Sequence, residues 1–412
     1  MTINNEHKKL NVPNLRFPEF QGEWEEYKLE DITAEIGDGI HATPIYDDNG
    51  TFYFVNGNNI SEYGITITAT TQKVTAEEAL RNNASALNSY SILLSINGTI
   101  GNVALYKNEP IMLGKSACYI NVSSNINRNY IFYYLMMPKC QFYFTSELTG
   151  TTIKNLSLKS VRKTKVLLPN ANEQSKIARL FDAINERIAT QNKIIDKLQS
   201  LIKGMEDNLL DNPLWEKTYL RSFMQFFPTN SLSWEQLSYK EGAIRNLHYG
   251  LIHGFQTRGI NSASLPMIKN EAIPKQYTLC QVGDVAFADA SEDTDEIAKS
   301  VEFVDTIEGN TICGLHTIHG RDIKNRTVVG FKGFAFNSRY FHNQIKRLAQ
   351  GTKVFSITAN NLSSCYVYLP DLETQKAIVN LLKTYEAKLL VSKRLLEHYE
   401  KQKQYLLRQM FI

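Results

Sequence analysis

Several short stretches of this 412-residue chain carry residue types that could do chemistry. The segment LGKSACY at 113–119 contains the Gly-Lys-Ser of a phosphate-binding loop, whose amides and lysine would cradle a nucleotide. That loop also needs a glycine five places before Gly114, and Glu109 stands there, so ATP binding is not expected. INGTIGN at 96–102 offers mobile backbone and an Asn-Gly turn, which predicts a hairpin tip able to reach a DNA groove rather than a phosphate cradle. DASEDTDEIAK at 289–299 holds Asp289, Glu292, Asp293, Asp295 and Glu296, but not at calcium-loop spacing, and reads as a solvated acidic loop capping a helix. HTIH at 316–319 places two histidines three apart, which on a helix could share a metal; no HExxH supports that, and satisfied or DNA-facing histidines are expected. Cys118, Cys140, Cys280, Cys313 and Cys365 are scattered without a CxxC pair, so they read as reduced structural thiols rather than a disulfide frame or zinc site. There is no GxSxG elbow, no dinucleotide-binding glycine run after a strand and no Asp/Asn-Pro-Pro-aromatic motif of an amino-methyltransferase.

What the chain has instead of a catalytic motif is duplicated basic charge. Residues 110–172 hold Lys115, Arg128, Lys139, Lys154, Lys159, Arg162, Lys163 and Lys165 against Glu147 alone. Residues 309–370 hold Arg321, Lys324, Arg326, Lys332, Arg339, Lys346, Arg347 and Lys353 against Asp322 alone. The chain as a whole is only +3, so the basicity is concentrated in two windows, the footprint of a polyanion binder touching its partner twice. A lysine-rich solvated surface is the competing reading. No apolar run reaches the roughly 18–20 residues that cross a bilayer, and the opening MTINNEHKKLN has no apolar signal core, so a cytoplasmic location and no membrane partner are expected.

The elements that would position these residues are also duplicated. LLPNANEQSKIARLF at 167–181 lies over YLPDLETQKAIVNLL at 368–382 at an offset of 201, matching Pro169 to Pro370 and Gln174 to Gln375. Upstream, Gly150 and Thr151 fall in register with Gly351 and Thr352. EWEEYKLEDI at 23–32 resembles LWEKTYLRSF at 214–223, matching Trp24 to Trp215 and Leu29 to Leu220. The chain therefore reads as globule, helix, globule, helix. Short β-like runs (TFYFVN, SILLSI, GDVAFAD, RTVVGF) mixed with helical pieces predict mixed α/β globules.

Each helix carries a 4,3-spaced seam. The first runs Ile177, Phe181, Ile184, Ile188, Gln191, Ile195, Leu198, Ile202, Met205, Leu209, and the second runs Ile378 to Met410 with Ser392 and Lys403 as polar members. Such a seam predicts a coiled coil, and the repeat is the obvious partner: antiparallel helices would bring Gln191 opposite Ser392 and fix register. Asn170 and Asp371 follow the prolines as N-caps, with Glu173 completing a capping-box-like pattern.

Taken in order, PNLRFPEFQGEWEEYKLEDI, LPNANEQSKI, NLHYGLIHGF, GDVAFADASED, GLHTIHGRDI and LPDLETQKAI resemble a type I restriction-modification specificity (S) subunit over essentially the whole chain. The resemblance implies two tandem α/β target-recognition domains, 14–169 and 211–369, each followed by a long helix, 170–210 and 370–412, the helices pairing as an antiparallel coiled coil with internal pseudo-two-fold symmetry. It implies a chain without catalysis or cofactor of its own. Such a chain reads an asymmetric bipartite site on double-stranded DNA. It docks two methyltransferase subunits that bring S-adenosylmethionine, and motor-nuclease subunits that use ATP and magnesium.

Within that frame, Gly150, Thr151, Lys154, Gly351, Thr352 and Lys353 are candidates for phosphate positioning. His41, Thr43, Asn97 and Thr99 in the first domain, and His248, His253, Gln256 and Arg258 in the second, are candidates for base edges, with a structural loop role open for each. Gln174 and Gln375 are expected on an exposed partner-binding face, since neither seam nor cap explains their identity. A duplicated coiled-coil scaffold for protein partners, without specific DNA binding, is the second reading; salt-dependent DNA binding separates the two.

Overall fold

The stretches that open and close each repeat pair with one another. In the computed structural model, which describes residues 10–150, 154–255, 258–305, 307 and 309–412, strand β1 (Glu25–Lys28) runs antiparallel to β8 (Lys165–Leu168), Glu25 opposite Leu168. Between them lie β2 (Thr33–Asp38), β3 (Phe52–Val55), β4 (Ser91–Ser95), β5 (Val103–Leu105), β6 (Ile111–Leu113), β7 (Ala117–Val122) and helix α1 (Arg128–Met136). A four-stranded sheet runs β2-β7-β4-β5. SILLS of β4 and ACYINV of β7 are buried throughout, as continuous short apolar runs at a sheet centre should be. β4 and β5 form the expected hairpin around INGTIGN, with Ile92 opposite Leu105.

The second copy closes in the same way, β9 (Glu216–Tyr219) antiparallel to the last strand, Tyr366–Leu369, with Glu216 opposite Leu369. Inside it are β10 (Met224–Phe227), β11 (Ile244–Leu247), β12 (Gly259–Ile260), β13 (Val285–Ala288), β14 (Ser300–Phe303), β15 (Asn310–Cys313) and β16 (Thr317–Asp322), with Tyr366–Leu369 as β17. The main sheet runs β10-β16-β13-β14-β12. RTVVGF at 326–331 is not a strand. Thr327 donates its amide and hydroxyl to Asp322 at 2.8 and 2.7 Å, holding a loop that enters a short helix, α4 (Phe331–Ala335).

Two long helices follow the prolines, α2 (Ala171–Leu210) and α5 (Leu372–Gln409). Asn170 and Asp371 cap them, accepting from the amides of Glu173 at 3.0 Å and Thr374 at 2.9 Å. Glu173 does not complete a capping box. It is fully buried and takes a two-pronged bond from Arg16, 2.7 Å from Nε and 2.8 Å from Nη2, which fastens the N-terminal segment to the helix.

The chain divides into two compact units, one reaching Thr190 and including Leu396–Ile412, the other spanning Gln191–Leu395, so each unit contains part of both long helices. In the first, Ile177 and Phe181 share a core with Leu407, Met410 and Phe411, and the Phe181 and Phe411 rings lie 5.6 Å apart. The polar seam residue Lys403, 3% exposed, is paired there with Glu62 at 2.5 Å. In the second, Gln191 Nε2 donates to the Ser392 carbonyl at 3.1 Å, and Ile378, Val379 and Leu382 pack into the domain core. Among the described residues no helix is long and apolar enough to cross a membrane.

Candidate nucleic-acid interface

Four loops of the first domain meet at one end of its sheet. The segment after β2 carries His41, whose Nε2 lies 2.9 Å from Asp38. It passes so close to the β6–β7 turn that a Cβ on Gly39 would stand 2.2 Å from the Leu113 carbonyl oxygen. That turn is GKS: Ser116 Oγ donates to Asn56 at 2.9 Å and accepts from the Gly57 amide at 2.8 Å, leaving Lys115 exposed. LGKSACY is thus the end of β6, a turn and the start of β7. The β4–β5 loop supplies Asn97 and Thr99, with the Ser95 hydroxyl donating to the Thr99 carbonyl.

The fourth loop is the Gly150 segment. Thr149 and Asn155 exchange backbone hydrogen bonds of 3.0 and 2.9 Å, Asn155 also bridges to Asn97, and Leu156 N donates to Ile96 O at 2.8 Å. Gly150 has φ +92°, in the left-handed region that glycine takes without strain. Asp38, His41, Asn97, Lys115, Asn155 and Ser157 line a cleft of about 300 Å³.

The second domain repeats the cluster with other side chains. Gln350 and Ser356 exchange bonds of 3.0 and 2.8 Å around Gly351 (φ +131°), and Ile357 N donates to Asp289 O at 3.0 Å. The turn at 314–316 again places its glycine against an asparagine: a Cβ on Gly314 would lie 2.3 Å from Asn246, as one on Gly114 would lie 2.3 Å from Asn56. Beside it, helix α3 (Tyr249–Gly254) and the acidic loop complete the set. His316 Nδ1 lies 3.0 Å from Asp289, the Tyr249 and His316 rings meet edge-on at 5.3 Å, and His253 Nδ1 lies 3.2 Å from Glu296.

The acidic loop caps no helix; Lys346 pairs with Asp295 and Lys299 with Glu296. Burial by itself would raise the Glu296 carboxyl, yet the Lys299 and His253 hydrogen bonds hold it below its ordinary value.

Several expected residues fall into place on these loops. His41, Thr43, Thr99, Gly150, Lys154, Gly351, Thr352 and Lys353 are exposed, and Asn97 and His253 are half-buried. Thr151 and Gln256 lie outside the described residues. Three expectations are corrected. His248 is buried: its Nδ1 accepts from the Gly250 amide at 3.2 Å as the cap of α3, its ring lies 4.4 Å from Trp234, and desolvation, then His316, lowers its pKa. It has no edge to offer a base. Arg258 points at the long helices, 3.7 Å from Glu206 of α2.

Gln174 and Gln375, 3% and 0% exposed, have no partner-facing surface. Gln174 Nε2 donates to Pro169 O at 2.8 Å and its Oε1 accepts from Asn127 N at 3.1 Å. Gln375 does the same with Pro370 O and Val328 N, both at 3.0 Å, and also donates to Arg326 O. Their recurrence is a duplicated clasp between helix start and domain.

The basic windows also differ once folded. Arg321, Arg326, Lys332 and Lys346 of the second are paired with Asp284, Glu216, Glu302 and Asp295, so much of its charge is used internally. In the first, Lys115, Lys139, Lys154, Lys159 and Lys163 are exposed. Lys115, Asn155 and Tyr249 were missed by inspection of single loops. Laying LGKSACY over CGLHTIH at an offset of 200, which matches Gly114 to Gly314, would have marked Lys115–Ser116 and Leu315–His316 as equivalent turn positions.

Comparison with known proteins agrees with this architecture. The family model described as "Type I restriction modification DNA specificity domain" matches residues 21–200 and 314–400, more than half of the chain. A protein of Methanocaldococcus jannaschii described as the MjaX type I restriction enzyme specificity subunit is 24% identical over 96% of this chain and 95% of its own length. The MjaVIII specificity subunit of the same organism is 25% identical over 66% and 67%. In fold, the chain is similar to the crystal structure of a type I restriction-modification S subunit from M. genitalium (TM-score 0.59, 15% identity, 97% and 99% covered). It is also similar to a chain from a study of complex assembly and conformational transition of a type I restriction-modification system (TM-score 0.55, 14% identity, 94% and 97% covered). With its paired recognition domains and the long helices that follow them, the chain belongs to the type I restriction modification DNA specificity family.

Proposed function

We propose that this chain is the DNA-reading scaffold of a type I restriction-modification complex, working in the cytoplasm and contributing no catalytic group. The observation that carries the reading is the duplicated four-loop cluster, in which a positive-φ glycine, Gly150 and again Gly351, follows a residue whose backbone pairs with one six places on, Thr149 with Asn155 and Gln350 with Ser356. Exposed lysines on these loops would neutralise phosphates, and the side chains that differ between the clusters would read bases. The Lys115–Ser116 turn and Asn97 occupy positions taken by Leu315–His316 and the Asp289–Ala290 segment in the second copy, so two different half-sites follow, making the target bipartite and asymmetric.

In this reading α2 and α5 form an antiparallel coiled coil that gives the molecule internal pseudo-two-fold symmetry and separates the half-sites. The Gln191–Ser392 bond supports that pairing, and a 40-residue helix is about 60 Å long, more than one turn of duplex. Repeated outer faces would then receive two methyltransferase subunits, which carry S-adenosylmethionine, and motor-nuclease subunits with their ATP and magnesium.

The test is to sequence modified bases in DNA from cells carrying this chain with its methyltransferase subunit. Two short, unlike half-sites separated by an unspecified spacer are expected. A single uninterrupted motif, or methylation by the chain alone, overturns the proposal.

A further inference from the structure

Five cysteines scattered through the sequence gave no sign of a metal site, and Cys313, three residues before HTIH, read as a structural thiol. Folding changes that. Cys280, Cys313 and His319 are 7%, 3% and 1% exposed, and one ligand atom from each lies within 4.8 Å of the others. They come from different elements: Cys280 is held beside β15 by its amide bond to Thr311 O at 2.8 Å, Cys313 ends β15, and His319 lies in β16.

We propose that Cys280, Cys313 and His319 bind a zinc ion within the second recognition domain, with water in the fourth position. The two Sγ atoms are 3.6 Å apart. Zinc–sulfur bonds of about 2.3 Å at a tetrahedral centre put two thiolates about 3.8 Å apart, so the sulfurs already stand at the separation a shared metal requires, and the His319 ring, within 4.8 Å of them, closes onto the ion.

The surroundings suit a metal better than two idle thiols. His319 Nε2 lies 2.7 Å from Asp284, which Arg321 also grips at 2.8 Å through Nε and 2.7 Å through Nη2. With the Nε2 proton donated to this carboxylate, the Nδ1 lone pair is left for the metal, the carboxylate–histidine–metal arrangement that fixes tautomer and raises ligand basicity.

Charge closes as well: a dication with two thiolates is neutral, and Asp284 with Arg321 is neutral, so nothing uncompensated is buried. Metal entry displaces one proton from each thiol and forms two Zn–S bonds and one Zn–N bond, with no redox change. The first domain has Leu113 and Tyr119 at the positions offset by 200 from Cys313 and His319, so the site belongs to the second domain alone.

The test uses the full chain, purified without chelator or added metal, alone and in complex with its methyltransferase subunit. Elemental analysis is expected to find about one zinc per chain, falling to background in Cys280→Ser/Cys313→Ser and unchanged in Cys140→Ser. Cobalt exchanged into the unmodified chain should give a thiolate-to-cobalt charge-transfer band, a readout that stands even if the double variant fails to fold. Zinc at background in the unmodified chain, absence of the cobalt band, full zinc retention in a folded double variant, or a Cys280–Cys313 disulfide found by mass would each overturn the proposal.

Discussion

Gln174 donates its side-chain amide to the Pro169 carbonyl at 2.8 Å, bonding the first turn of α2 back onto the residue that ends the domain. Gln375 makes the same bond to Pro370. Both side chains are buried with donor and acceptor ends engaged, so Gln174→Ala strips the Asn127 amide and the Pro169 carbonyl of their side-chain partner. Each such substitution should cost about 1–3 kcal/mol, more at Gln375, which also holds the Arg326 carbonyl. Amide exchange at Asn127 and Val328 measures it directly. Faster exchange with unchanged methyltransferase-subunit affinity is expected; lost affinity with unchanged exchange would restore a partner-contact role.

A second prediction concerns Lys332 and Glu302, an ion pair at 3.0 Å that is 2% and 0% exposed. Glu302 also accepts from the amides of Gly330 and Gly333 at 2.9 and 2.8 Å, so the carboxylate organises the turn into the Phe331–Ala335 helix. Lys332→Met leaves that charge alone in the core and should destabilise the second domain by about 3–5 kcal/mol. Adding Glu302→Gln should recover much of the loss, because an amide costs far less to bury than an unpaired carboxylate. Chemical unfolding followed by a second-domain probe such as Trp234 fluorescence checks both.

These two cases show what was legible in the sequence. The 201-residue offset marked Gln174 and Gln375 as a matched pair, and the structure supplies the reason; burial was invisible because a glutamine satisfied by backbone reads like a surface residue. The offsets at Trp24/Trp215 and Pro169/Pro370 located both ends of each domain, yet only the fold shows that those ends pair as β1–β8 and β9–β17. Lys332 was counted as surface charge, since a lysine buried against a distant glutamate leaves no local pattern. The Cys280–Cys313–His319 cluster depends on strand neighbours up to 39 residues apart, which spacing rules built for local motifs do not detect.

For DNA binding, Lys115 and Lys154 stand exposed on two of the loops that meet at Asn97 and Asn155. If each neutralises one phosphate, Lys115→Ala and Lys154→Ala should each reduce the slope of log affinity against log salt by about 1, with little change in sequence preference. Asn97→Ala should leave the slope alone and relax preference at one half-site. Fluorescence anisotropy of the assembled complex on a methylome-derived site, across salt concentrations, separates the two classes.

The last prediction concerns pH. Glu386 on α5 is desolvated among Glu206, Arg258 and Lys383. Burial pushes its carboxyl from the ordinary 4.5 up to about 7, Glu206 adding to the rise while Arg258 and Lys383 oppose it. Glu206 is raised for the same leading reason, with Asp207 adding and Arg258 opposing. A folded-state value above the unfolded one means that folding takes up a proton. The second domain should therefore be most stable below pH 4.5 as far as this group is concerned, lose stability as pH rises toward about 7, and level off above it. The full swing from Glu386 is on the order of 3 kcal/mol. Glu386→Gln should remove most of the slope and leave the domain more stable than the unmodified chain at pH 8, since it buries a neutral group of the same shape. Amide exchange along α5 around Glu386, measured at pH 5 and pH 8 and corrected for intrinsic rates, reads this locally; an unchanged pH slope in the variant would show that the carboxylate stays ionised in the fold.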